Sequence, residues 1–215
     1  MRQVIVDLVL KFAKENPTWG YDRSQGALAN VGYHICDTTV EAWTKGGLVT
    51  FYLLFAMELK SRRVQFVGFT VAPNKQWMKQ TARELTAFDD GFLNGKKYVI
   101  MDRDATFCES FRTMLTDEGI EPIRLPPRSP NLNAYVERFF RSLKSECLER
   151  MIFFGENSLR NAVREFLSHY HQERNHQGLE NKVIDPAEDI GPIAGEIKCR
   201  DRLGGMLRYY YRDAA

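Results

Sequence analysis

The sequence predicts a mixed α/β domain, a sheet with helices on both faces, preceded by a small helical region. Three observations carry that expectation. Two runs dense in β-branched and aromatic residues, "LVTFYLLFAMEL" and "RVQFVGFTVA", flank the basic turn "KSRR", as an antiparallel hairpin would. Beyond them, stretches with helical spacing alternate with short apolar runs, the order of a layered α/β sheet. Ahead of them, a helical texture gives way at Gly46-Gly47.

The elements follow in chain order. Residues 2–15 place Val4, Leu8 and Phe12, with Ile5 and Val9, at helical spacing, and Lys11, Lys14 and Glu15 on the other side. "NPTWG" stops this helix, and "YDRSQGALANVG" reads as a short second one ending at Gly32. "YHICDTTV" then offers Cys36 or Asp37 as the cap of a further helix. Helix, turn, helix, Gly, polar cap is the order of a helix-turn-helix, and equally of a plain helical hairpin. The strand "LVTFYLLFAMEL" is apolar on both faces and should be central. "NKQWMKQTARELTAFDDGF" sets Trp77, Ala82 and Leu85 at helical spacing and ends near Gly91. "KKYVIMD" is a short strand ending in acid, and "ATFCESFRTMLTDEGI" a helix with Phe107, Phe111, Met114 and Leu115 on its core face. "EPIRLPPRSPNLNA" gives a short strand and a Pro-rich loop, "YVERFFRSLKSECLERM" and "SLRNAVREFLSHYHQERN" two amphipathic helices, and "HQGLENKVIDPAED" a loop. "RLGGMLRYYYR" is either a Gly-Gly hairpin capping the domain or a basic aromatic tail that contacts DNA.

Composition excludes several classes. An apolar fraction of 44% over 215 residues argues against disorder. The longest apolar run falls short of the roughly 18 residues that span a bilayer. Asp7 and the lack of a small-residue cleavage site argue against a secretory leader. The four cysteines stand far apart without zinc-type spacing, and read as reduced thiols. With 30 basic residues against 28 acidic, only local clustering can support nucleic-acid binding.

Two carboxylates stand where α/β folds build sites. Asp102 ends the strand "YVIMD", and an ionised carboxylate there is costly unless a cation or donor meets it. Asp102 and Asp104 share a face if the strand continues through both; otherwise they read as turn and cap residues. Glu137 follows the Pro-rich loop by one helical turn and forms a polar stripe with Arg141 and Lys144, opposite Phe139, Phe140 and Leu143.

Their joint context carries more. "Asp102-R-D-A-T-Phe107", then "Ser129-Pro130-N-L-Asn133-Ala134-Y-V-Glu137" 35 residues on, then "SLK" to Lys144, resembles the DDE recombinases, the integrase-core transposases of bacterial insertion sequences related to retroviral integrases. Tyr170, Arg174, His176 and Leu179 resemble a downstream segment of that family, and "PTWGYDRSQGALANVGYHI" the helix-turn-helix that precedes its core. The likeness covers most of residues 16–186. It implies a ribonuclease H-like integrase core over 41–190, a truncated helix-turn-helix over 1–40 and a tail over 191–215. It implies metal-dependent cleavage and transfer of DNA strands, with two Mg²⁺ (or Mn²⁺) ions held by Asp102, Glu137 and, at the first position, Asp37 or Glu41. Lys144, Arg141, Arg138, Arg128, Arg124, Arg174 and His176 would contact DNA; Arg174 and His176 could equally anchor their loop. The implied partners are duplex DNA, as transposon ends and target, and further copies of the chain, with no membrane; the implied location is the bacterial cytoplasm, at the nucleoid.

The sequence departs from the family twice. Asp104 stands where the family usually has Gly. "DTTVEAW" follows "GYHIC" with no linker, as though an internal deletion near residues 37–41 fused a recognition-helix start to the end of the catalytic strand. That reading makes Asp37 a helix-cap residue by descent and leaves two competing functions: a DNA-binding remnant that no longer cuts or, more remotely, a ribonuclease H-type nuclease.

Overall fold

A computed structural model describes residues 33–125, 134–186 and 195–212. The helices expected over 2–15 and 21–32, Arg128 and most of the Pro-rich loop lie outside these residues. The chain divides into two compact units, one made of residues up to Thr38 with Tyr52–Val136, the other of Thr39–Phe51 with residues from Glu137 onward.

The sheet of the first unit has the order β3-β2-β1-β4-β5. Its strands are β1 (Tyr33–Thr44), β2 (Gly47–Glu58), β3 (Val64–Thr70), β4 (Tyr98–Met101) and β5 (Glu121–Arg124), with β1 and β2 continuing into the second unit. β3 runs antiparallel to β2, whereas β4 is parallel to both β1 and β5, so the sheet is mixed. β2 is interior as expected: Leu53 to Met57 are all buried, on both faces. Helix α1 (Lys75–Leu85) starts where Asn74 accepts the Trp77 N–H at 2.9 Å. It stops at Leu85 rather than near Gly91, because the Thr86 hydroxyl and N–H both turn back onto the Ala82 carbonyl. Helix α2 (Glu109–Asp117) covers the shorter middle of the stretch read as helical. Met78, Ala82 and Leu85 from α1 and Phe107, Phe111 and Leu115 around α2 pack with Ile35, Leu54, Val99 and Met101 of the sheet. That packing holds the ends of β1 and β4 in place.

In the second unit, Ala42 and Trp43 of β1 pair in parallel with β6 (Phe153–Phe154). Helix α3 (Ala134–Glu146) crosses the unit boundary at Glu137. From α3, Phe139 meets Phe166 and Tyr170 of α4 (Gly155–Gln172), with ring centroids 6.2 and 5.1 Å apart. The C-terminal stretch is a hairpin, β7 (Ile197–Arg202) antiparallel to β8 (Leu207–Arg212), as one of the two readings of "RLGGMLRYYYR" expected. Its turn needs Gly204 and Gly205, which sit at φ 66° and 88°. Arg202 carries the hairpin onto α4 through Glu173 and Glu165. Among the described residues no helix is long and apolar enough to cross a membrane.

One expectation is overturned. Residues 33–40 are not the start of a recognition helix, and the first strand is not largely missing. Asp37 is the fifth residue of a twelve-residue strand, so the boundary drawn at residue 40 falls inside β1. The strand is held by partners remote in sequence: β4 against Tyr33–Ile35, β6 against Ala42 and Trp43, and the Cys36 thiol on the Phe55 carbonyl at 3.7 Å.

Candidate active site

The site begins with register. β1 and β4 are parallel neighbours with Ile35 opposite Met101. Asp37 lies two residues past Ile35, and Asp102 is the first residue past Met101. Asp102 therefore emerges at the C-terminal end of β4, the edge where α/β sheets bind ligands, and Asp37 lies level with it in the middle of the longer strand β1. Neither is freely solvated: both are half-buried.

Their electrostatics reflect that placement. Burial is the largest influence on Asp37, followed by repulsion from Asp102 and Asp104, and together they push its carboxyl up to about 6. A hydrogen bond from its own backbone opposes the rise. Asp102 is also raised, first by burial and then by Asp104, while the Asp104 N–H and the Arg124 guanidinium pull the other way. The Cys36 thiol beside them is pushed well up by burial and by both acids, so it is inert as a nucleophile.

β4 stops at Met101, so Asp102 and Asp104 do not share a strand face. They form consecutive turns instead. The Asp104 N–H donates to Asp102 Oδ1 at 2.9 Å, and the Thr106 N–H donates to Asp104 Oδ1 at 2.7 Å. From the β5 side, Arg103 Nε–H donates to the Leu125 carbonyl at 2.9 Å and Arg124 to the Arg103 carbonyl at 3.2 Å. Arg124 is thus tied to the acid turn while remaining exposed.

The remaining predicted residues belong to the second unit. Glu137 stands in the first turn of α3 and is exposed, as are Arg138 and Arg141; Lys144 is half-buried. Arg174 is paired with Glu146 and so ties α4 to α3. His176 Nε2 lies 2.7 Å from the Tyr170 carbonyl, with its ring edge-on to Tyr170 at 4.6 Å. Both residues are engaged within the protein, in keeping with the loop-anchoring reading. Glu41 is exposed on β1. Among the described residues, no group of three or more His, Cys, Asp or Glu is close enough to hold a metal ion. Within the first unit the structure brings together Asp37 and Asp102, with Asp104 in the turn beside them.

The sequence missed Glu173. Its side chain is 1% exposed and meets Arg202 at 2.8 Å, His169 at 2.9 Å and Arg200 at 3.4 Å. Burial pushes it upward, but the hydrogen bonds from Arg202 and His169 outweigh burial and hold it below the usual carboxylate range. The i, i+4 spacing of His169 and Glu173 was readable, but it does not reveal two arginines arriving from a hairpin about thirty residues later.

Residues 118–183 match the integrase core domain family. The chain is 33% identical over 188 residues to an uncharacterized 39.2 kDa protein of insertion element IS476 from Xanthomonas euvesicatoria, covering 84% of this chain and 46% of that protein. It thus spans under half of that relative's length. Among solved structures, it resembles the HTLV-2 integrase catalytic core domain in complex with magnesium (TM-score 0.54, 14% identity, 74% of this chain and 96% of that one). It also resembles a simian T-cell lymphotropic virus intasome chain (TM-score 0.51, 12% identity, 85% of this chain and 66% of that one). These likenesses establish the ribonuclease H-like fold of integrase cores.

Proposed function

The chain is an integrase-core protein of the insertion-element type, and from that premise we propose that it is a transposase core that cuts and joins DNA strands in a metal-dependent phosphoryl transfer. One observation carries the proposal: half-buried Asp37 of β1 lies beside Asp102 at the C-terminal end of the parallel strand β4, and burial followed by the Asp102 charge raises the affinity of Asp37 for protons. Two half-buried carboxylates that repel each other fit a hard divalent cation such as Mg²⁺, which prefers carboxylate oxygens and keeps several waters. Asp37 and Asp102 would hold it, and Glu137 is the family's third ligand. A bound cation supplies Lewis-acid stabilisation of the attacking and leaving oxygens in an in-line displacement at phosphorus.

The protein's own part is placement and charge. The packing of α1 and α2 on β1 and β4 fixes where the two carboxylates emerge. The turn bonds from Asp104 and the Arg103–Arg124 contacts hold the Asp102 segment against β5. Arg124, Arg138, Arg141 and Lys144 would meet phosphates, so binding should be salt-dependent. The substrates are the element's ends and a target duplex, and the active form is a homo-oligomer on DNA.

The test uses the full chain with Mg²⁺ or Mn²⁺ and duplex DNA bearing the element's ends. Nicking or strand transfer is expected, and Asp37→Asn, Asp102→Asn and Glu137→Gln should each abolish it without removing DNA binding. A second reading is a DNA-binding remnant that does not cleave, in which the core keeps its fold and its basic residues without the reaction. Binding without cleavage under every metal condition would establish the remnant and sink the enzyme.

A further inference from the structure

We propose that Asp104 is a positioning residue for Asp102, holding the second site carboxylate through the turn that follows β4; this rests on the metal-dependent reading above. Asp102 is the first residue beyond β4, where the chain leaves the strand for a turn. It is steadied by the Asp104 N–H, at 2.9 Å from Oδ1. That N–H is aimed by the Asp104 side chain, whose own Oδ1 accepts the Thr106 N–H at 2.7 Å. The Asp104 carbonyl accepts the Phe107 N–H at 3.2 Å, and Phe107 is only 1% exposed in the core of the first unit. A continuous set of short-range bonds therefore runs from a packed phenylalanine to one oxygen of Asp102 and leaves the other oxygen for a ligand.

The side chain at 104 explains the departure from glycine in this motif. Where the family has glycine, which carries no acceptor, Asp104 fixes the turn with its own carboxylate oxygen. Asp104 commits its Oδ1 to the Thr106 amide and so to the turn. Outer groups that orient a ligating carboxylate commonly change metal affinity by about 10- to 100-fold when removed.

The discriminating variants are Asp104→Ala, which deletes the acceptor, and Asp104→Asn, which keeps an oxygen for the Thr106 N–H and removes the charge. Mn²⁺ binding to the full chain without DNA is measured by calorimetry or electron paramagnetic resonance. Amide hydrogen exchange at residues 104 and 106 is followed in parallel without metal. Asp104→Ala should weaken Mn²⁺ binding about tenfold and speed exchange at both amides, while Asp104→Asn stays within about threefold of the parent on the same scale. Parent-like binding by Asp104→Ala overturns the proposal, and so does equal weakening by both variants, since charge and not the turn would then matter. If the parent chain binds no Mn²⁺, the metal-dependent reading fails by itself. The exchange measurement then decides the positioning role: unchanged protection of amide 104 in Asp104→Ala overturns it.

Discussion

Two buried carboxylate clusters in this chain have opposite fates. In the second unit, Glu173 is almost completely enclosed, yet it lies below the usual carboxylate range because Arg202, His169 and Arg200 surround it. In the first unit, Asp37 and Asp102 are less deeply buried, yet both are pushed up, first by burial and then by neighbouring acid, which outweigh the pull of Arg124 on Asp102. Burial acts in the same direction on all three. What differs is that the protein's own cations hydrogen-bond Glu173, whereas the charges acting on Asp37 are acidic. A carboxylate already matched by guanidinium is a structural fastening; a pair left unmatched is poised to take a cation from outside.

The contrast can be broken from either side. The largest effect on stability should come from Glu173→Ala, which strands Arg202 and Arg200 around an empty position. Breaking one partner of a buried pair costs about 3–5 kcal/mol, measurable by urea unfolding, and the β7–β8 hairpin should lose its amide protection first. Unchanged stability would mean that the hairpin docks by apolar contact alone. On the other side, Mg²⁺ should stabilise the parent chain by about 1.4 kcal/mol at ten times its dissociation constant. Asp102→Asn and Asp37→Asn should each erase that gain in a thermal melt, whereas Glu173→Gln should not.

A smaller effect concerns pH. The folded carboxyl of Asp37 titrates near 6, against 3.8 for an ordinary aspartate. Between those values the folded chain holds a proton that the unfolded chain has released, so stability should fall as pH rises through this window without metal. Asp37→Asn should flatten that part of the profile; a profile with the same slope would show that burial and the neighbouring acids do not shift Asp37 as described. The smallest effect is expected on the exposed face of α3. Arg138→Gln and Arg141→Gln should each lower the salt dependence of DNA binding by about one unit of slope. Arg174→Gln should instead loosen the junction of α3 and α4, because its charge is spent on Glu146.

Legibility in the sequence followed how local the cause was. β2 and β3 were readable from their own residues, since a run such as Leu53–Met57 can only be buried on both faces. The helices were readable from their apolar spacing, with errors at their ends. The end of α1 depends on Thr86 folding back onto Ala82 rather than on the glycine further along. β1 was misread because Asp37 and the threonines after it carry a local signal for a helix start. Three partners remote in sequence override that signal. β6 is two residues long and exists only because β1 lies beside it.

The sequence by itself determined the spaced acids, the strand that leads into Asp102, the amphipathic helix that bears Glu137 and the integrase-core pattern joining them. Each is a matter of residue type and interval along the chain. Only the tertiary structure decided that Asp37 belongs to a strand and opens beside Asp102, and that Arg202 reaches Glu173. Those outcomes depend on strand register and on side chains brought together from distant positions, and chain spacing does not encode either.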